Sequence, residues 1–344
     1  MTVLRRVAWI VLGLLVLAWR AGWGSFPDSR WLATEIVPAL PSIPTLDPLA
    51  QYSLSSPLGA FLAAIAHADT STAFELLHLV AMAVLALVVA TMVVRKHGWT
   101  ASALVGAAFV GSQTGVVLLA WIGSYDVFTV GLLSLLVVVS DRRVAAVLGL
   151  ALAFSAFEQS AIVLLALFVL ALVGIGGTRA RLAWAAGGLV LGRIVLEVWL
   201  RSNDVTHGRW WFLRQIGIGH VLRLFGHGLP WLLVTGLGAT VVAVVVAIAA
   251  LPSRRSRAVV VGVLLAALVP TALSLDETRV FAVLTWPVVM ALLLDHAGRV
   301  DASAVRRLAG WTLALAAIVP GLFVWEGRAQ LANHHPWRWW ARHR

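Results

Sequence analysis

Long apolar runs fill the chain, and polar residues fall mainly in the short gaps between them. The first run covers 7–19 and continues weakly to Trp23, after Arg5 and Arg6. No small-x-small cleavage site follows it, so it reads as a retained anchor, not a cleaved leader. Segment 25–57 holds six prolines, a density that forbids one continuous helix and predicts a long loop. Residues 58–66 are apolar but too short to span. They predict an interfacial or re-entrant segment, or the first half of a broken helix.

Further runs follow at 72–94, 101–122 and 127–140, the first ending at Arg95-Lys96-His97 and the last at Asp141-Arg142-Arg143. The stretch 144–176 is too long for one span and carries Glu158-Gln159-Ser160 near its middle. Splitting it into 144–157 and 161–175 keeps Arg142 and Arg143 on the same side as Arg179 and Arg181, as the positive-inside rule prefers. Then come 182–200, a second large loop at 201–229, and runs at 230–251, 258–274, 280–294 and 308–325. The pattern therefore predicts one transmembrane domain over 1–344: an all-α polytopic integral membrane protein of eleven spans, its N-terminus cytoplasmic. Several spans are shorter than the roughly 20 residues that cross hydrocarbon straight. Such helices suit a protein-lined cavity. The tail 334–344, rich in Trp and Arg, is expected along the outer interface unless one span is miscounted.

Composition agrees. The 344 residues are 61% hydrophobic and 12% charged, with a mean hydropathy of +0.93, where a soluble domain carries about 25% charged residues. There is no cysteine, which removes disulfides, thiolate metal sites and cysteine nucleophiles. A net charge of +11 would suggest nucleic acid on a soluble protein. Sorted by side, however, the short cytoplasmic loops hold 14 basic residues against Asp141, Asp295 and Asp301. The excess is thus topology signal, and no nucleic-acid partner is implied. The other 12 carboxylates face the outer side or the outer part of the membrane. Two readings stay open: a by-product of basic inner loops, or a polar site opening outward.

Asp28, in Phe26-Pro27-Asp28-Ser29-Arg30, could act as a general base, hold a divalent cation, or cap a short helix. Asp47, in an Asp-Pro turn, is the second candidate acid. Tyr52, Ser53, Ser55 and Ser56 offer hydroxyls for sugar or phosphate, or for a capped turn. Asp126 sits in the tight Gly123-Ser124-Tyr125-Asp126 hairpin and either caps a helix or lines a cavity. Glu158 is an ionisable group inside an apolar stretch, a functional candidate unless it lies in an outer turn. Asp276-Glu277-Thr278-Arg279 is the densest charged cluster outside; Arg279 could bind phosphate in bidentate fashion, or the cluster could be a solvated turn. Loop 201–229 is basic, with Arg209, Arg214 and Arg223. His220, Arg223 and His227 share one face of an amphipathic interfacial helix suited to a lipid phosphate, or to unspecific headgroup attraction. Arg193 and Glu197 are spaced as an intrahelical ion pair. His78 reads as a packed histidine. No close histidine pairing supports zinc, no metal ligand set is assigned, and no Walker, GxSxG, HExxH or dinucleotide motif is present.

In its cytoplasmic N-terminus, long first outer loop with an early acid (Asp28, then Asp47), short paired helices and polar outer loops, the layout resembles the GT-C class of membrane glycosyltransferases. That resemblance implies a polyprenyl-phosphate sugar donor, a glycan or lipid acceptor, and cell-envelope glycan assembly on the extracytoplasmic face. It would make Asp28 the base, while the arginines of 201–223 and Arg279 hold donor phosphate. The residues leave two other readings: a transporter or flippase using Asp126, Glu158, Arg193 and Glu197, and a membrane subunit without chemistry.

Overall fold

A computed structural model describes residues 3–43 and 51–332 of the chain. Asp47 and the tail beyond Ala332 lie outside the described residues. The fold is all-α. Its principal helices are α1 (Val3–Ala21), α2 (Leu58–Ile65), α3 (Ser71–Gly111), α4 (Gln113–Ala120), α5 (Asp126–Val138), α6 (Arg142–Leu172) and α7 (Arg179–Ser202). They continue with α8 (Arg209–Ile216), α9 (Ile218–Thr235), α10 (Val241–Ala249), α11 (Arg254–Ala266), α12 (Glu277–Arg299) and α13 (Ala302–Ile318). Four of these (α3, α6, α7 and α12) are long and apolar enough to cross a membrane, and α9 with the segment to Ala249 forms an apolar pair bent by 57°, the shape of a broken span or a re-entrant loop.

Two of the long helices are broken inside. In α3, Gly98 takes φ +83°, a left-handed conformation that glycine adopts without steric cost. In α6, Ala156 takes φ −158°, ψ 86°, an extended conformation that ends one helix and starts another. The packing of α7 shows that the chain reverses there. A Cβ on Gly188 would lie 1.9 Å from the Ala146 carbonyl oxygen, and one on Gly192 would lie 2.6 Å from that of Leu150. The same offset at both contacts means that α7 runs parallel to the first half of α6. Its Arg181 also donates to the carbonyl of Val139, just before α6 begins. The second half of α6 therefore runs back to the end where both helices start. The break expected near Glu158 falls two residues earlier.

α5 connects two chemically different ends. At its C-terminal end, Lys96 Nζ donates to the Val138 carbonyl (3.2 Å) and Ser140 Oγ (2.9 Å), with Arg142, Arg143 and Arg181 close in sequence or space. At its N-terminus, Asp126 pairs with Arg279. The two ends of α5 are about 18 Å apart. α12 lies at the centre with almost every side chain buried, the mark of a helix that is apolar all round.

Breaks in buried helices leave carbonyls without partners. Arg20, fully buried on α1, fills this need. Its guanidinium donates to Val110 O and Ser112 O at the α3–α4 break and to Val319 O beyond α13 (2.9 Å). Gln113 Nε2 donates to Thr235 O (2.9 Å), and Thr240 Oγ1 to Ala108 O, so the α9–α10 break is stitched to the same place.

Two boundaries differ from the sequence pattern. The helix holding His220 and Arg223 runs on through Pro230 and breaks only at Gly236–Leu237. The run expected to span 308–325 stops at Ile318. Pro320-Gly321 ends it. The chain then forms a hairpin, β1 (Leu322–Trp325) and β2 (Arg328–Leu331). Its two-residue turn places Glu326 (φ 49°) and Gly327 (φ 74°) in the left-handed region, as a tight hairpin requires.

The Gly188 contact generates a paired prediction. Gly188→Val should cost roughly 3 kcal/mol or more, because the added carbons meet backbone and not a movable side chain. Gly187→Val, where a Cβ meets nothing within 4 Å, should change stability little. Thermal unfolding of the two purified variants separates them; equal midpoints would refute the parallel α6–α7 contact.

Candidate functional site

The residues before α2 are laid across the end of the bundle by backbone pairing. Phe26 N donates to Ile122 O (2.8 Å) and Ile122 N to Gly24 O (2.9 Å). This places Asp28 beside the 123–125 turn, where a Cβ on Gly123 would come within 2.9 Å of Ser29 Cβ. Ser29 Oγ donates to Glu75 Oε1 (3.0 Å) and fastens the loop to α3. Asp28 precedes a short helical turn but makes no side-chain cap hydrogen bond. Its half-buried carboxylate lines a cavity instead.

Arg279, in the first turn of α12, organises the opposite wall. Its Nε lies 2.9 Å from Asp126 Oδ2, its Nη1 lies 2.8 Å from Asp276 Oδ2, and its Nη2 donates to the Tyr125 hydroxyl. The guanidinium carbon also sits 4.9 Å from the Tyr125 ring centroid and 5.3 Å from that of Trp121. Asp126 is wholly buried and accepts from Ser124 Oγ (2.7 Å). Burying these charges is tolerable because each is paired with an opposite charge.

Arg209 closes the cavity from α8. Its Nη1 reaches Glu158 Oε2 (3.1 Å), its Nε donates to Ser55 Oγ (3.0 Å), and its Nη2 donates to Ser56 Oγ (2.6 Å). The Tyr125 ring, 5.4 Å from Arg209, thus faces two guanidiniums. Tyr52 stacks on Phe212 at 4.3 Å. The cavity is about 50 Å³, lined by Asp28, Tyr52, Ser53, Ser56, His78, Tyr125, Arg209 and Arg279. That is room for a few waters. A second cavity of about 320 Å³ is almost wholly apolar and lies between α1, both halves of α3, and α5. Along α3 it begins at Met82, one turn beyond His78, and extends to Val93.

Burial raises the Asp28 pKa above the ordinary carboxylate value, against the pull of Arg279. Burial also raises Tyr52, helped by the charge of Asp28. Asp276 is pushed up to about 7 by burial, against Arg279, with Asp126 and Glu277 adding repulsion.

Of the residues singled out from sequence, Asp28, Asp126, Glu158, Arg209, Asp276 and Arg279 come together here. Glu277 does not. Its carboxylate is buried on the side of the hairpin, where Oε1 accepts from Gly327 N (3.0 Å). Arg214, His220 and Arg223 are exposed on α8 and α9 and do not line the cavity. Arg193 and Glu197 form the intrahelical pair at 2.9 Å, with Arg201 at 3.6 Å from the same carboxylate. His78 packs between Phe74 and Phe128, its Nδ1 2.8 Å from Phe74 O. Among the described residues no three potential ligands converge on a metal position. Sequence reasoning missed Tyr125 and the aromatic bed of Phe26 and Trp121. Scarcity was the available signal: the chain has two tyrosines, and both line this cavity. Comparison with protein families, curated proteins and solved structures finds no match for the chain.

Asp276 makes stability depend on pH. Between its ordinary value of 3.8 and about 7, the fold keeps a proton that the unfolded chain has lost. Unfolding then releases protons, so stability falls as pH rises through this window. Asp276→Asn should remove that part of the slope in thermal unfolding followed against pH. A slope unchanged in the variant would refute the assignment.

Proposed function

We propose that the chain crosses the cell membrane eleven times with its acidic end outside, and that it is a membrane glycosyltransferase similar to the GT-C class. The carrying observation is the Asp28 carboxylate, which makes no cap hydrogen bond and lines a polar cavity with two arginines and two tyrosines. The breaks at Gly98 and Ala156 support dividing each of the two longest helices into two spans, and the positive-inside rule favours this orientation. The donor would be a polyprenyl-phosphate sugar and the acceptor a hydroxyl of a glycan or lipid. The apolar cavity beneath the site suits the prenyl chain, being of the size at which ligand pockets begin.

Asp28 takes the proton of the acceptor hydroxyl as that oxygen bonds to the anomeric carbon from the face opposite the phosphate. The carbon–phosphate oxygen bond breaks, and its electron pair leaves with the polyprenyl phosphate. Arg279 and Arg209 stabilise the charge that gathers there. Both guanidiniums already hold carboxylates, so phosphate enters by partner exchange. Asp276, which readily takes a proton, can release Arg279 without leaving a bare charge. Transport is the weaker reading. A carrier binds its cation among the carbonyls of broken helices, and here Arg20 already occupies that place.

Asp28→Asn should lower transfer of labelled sugar from polyprenyl-phosphate donors by about 10²–10⁴-fold. Glu35→Gln, at an exposed position of the same loop, should leave it intact. In the parent the rate should fall as pH drops through the raised Asp28 pKa. Full transfer by Asp28→Asn would overturn the assignment. The chain has no native cysteine, so Glu158→Cys and Asp276→Cys can be labelled cleanly in oriented vesicles. The transferase reading expects labelling from outside only; labelling from either side would favour transport.

A further inference from the structure

The cavity is too small for the proposed substrate. A space of about 50 Å³ admits water but no sugar, so one wall must move before a sugar can seat against Asp28. The walls differ in what holds them. Arg279, Asp126 and Tyr125 belong to helices packed into the core, and the Asp28 loop is paired to the backbone of 122.

The wall supplied by 206–216 is built differently. None of the residues of α8 is buried. Glycines bracket the helix, Gly208 before it and Gly217 after it, the latter at φ +93°. A Cβ at either would meet nothing within 4 Å, so neither hinge is crowded. What holds α8 down is a seam of polar and stacking contacts. Arg209 reaches Ser55, Ser56 and Glu158, and Phe212 lies on Tyr52. Gln51 Oε1 accepts from Thr206 N (3.0 Å) and His207 N (3.1 Å). An element without buried apolar side chains, tied by a few directed bonds and hinged on glycine, belongs to the class that opens locally while the rest stays folded.

We propose that α8 is a lid over the cavity, that Arg209 is its latch, and that an incoming anionic headgroup opens it by competing with Glu158 for the Arg209 guanidinium. The two hydroxyls on Arg209 keep it oriented while the carboxylate is exchanged. This rests on reading the cavity as the substrate site, but not on which group is transferred.

A thiol inside the cavity reports the lid directly. Ser53 lines the cavity, and Ser53→Cys in the full chain, in right-side-out vesicles, presents one thiol to a membrane-impermeant maleimide. Labelling should be slow in the parent. It should quicken about tenfold when either Arg209→Ala or Glu158→Gln removes the latch, the change in open population that a loss of roughly 1.4 kcal/mol produces. Inorganic pyrophosphate should quicken the parent but not Arg209→Ala. His227→Cys, exposed on α9 and away from the lid, should label at one rate in every background. A Ser53 thiol that reacts at the parent rate in both latch variants overturns the lid, and so does a gain that the His227 control matches. Labelling needs no turnover, so a failed lid and a failed transferase reading give different results.

Discussion

The pairing of Arg279 with Asp126 is the interaction on which the acidic end depends. Asp126 is fully buried, Arg279 nearly so, and their contact is 2.9 Å. Removing one partner from such a pair leaves an uncompensated buried charge and costs about 3–5 kcal/mol. The contact locks the first turn of the central helix α12 to the first turn of α5, so two core elements start in register. Tyr125 follows from it, because the residue before Asp126 has its hydroxyl on the same guanidinium and its ring between Arg279 and Arg209. Asp276 follows too. It is buried against the same cation, and burial raises its pKa although Arg279 pulls it down.

The rest of the bundle solves the problem of broken helices. Each break strands carbonyl groups away from water, and an unsatisfied carbonyl in an apolar medium costs several kcal/mol. The α3–α4 break, the α9–α10 break and the end of α13 are brought together around Arg20, Gln113 and Thr240. One cation at the negative ends of α3 and α13 answers both hydrogen bonding and dipole charge. At the basic end Arg181 does the same for the carbonyl of Val139. Short helices are therefore no weakness of this fold, because their loose ends are gathered instead of scattered.

Much of the helix order was legible because apolar runs and arginine clusters report burial and sidedness independently. The reversal in α6 could be inferred from Arg142, Arg143, Arg179 and Arg181 alone, although its position at Ala156 could not, since alanine carries no turn signal. The hairpin at 322–331 escaped because Leu322–Trp325 is as apolar as the span before it, and only Pro320-Gly321 and Glu326-Gly327 mark the change. The site was half legible. Charge in an apolar context pointed to Asp126, Glu158 and Arg279. Neighbours in sequence could not be told apart: Asp276 turns to Arg279, while Glu277 turns to Gly327. Periodicity placed His220 and Arg223 on one face but could not say that this face looks away. Arg209 differs from Arg214 only in standing at the start of α8, against the first loop.

The balance of charge in the cluster bears on what it can bind. Asp28, Asp126, Glu158 and Asp276 bring four carboxyl groups to two guanidiniums. Fully ionised, such a site would repel phosphate. The raised values of Asp28 and Asp276 soften that repulsion, and each arginine can trade a carboxylate for a ligand oxygen of like charge at small electrostatic cost. A preformed anion hole would have needed unpaired buried arginines, which a fold of this kind tolerates poorly. Pairing them with acids keeps the empty site stable and leaves binding to exchange.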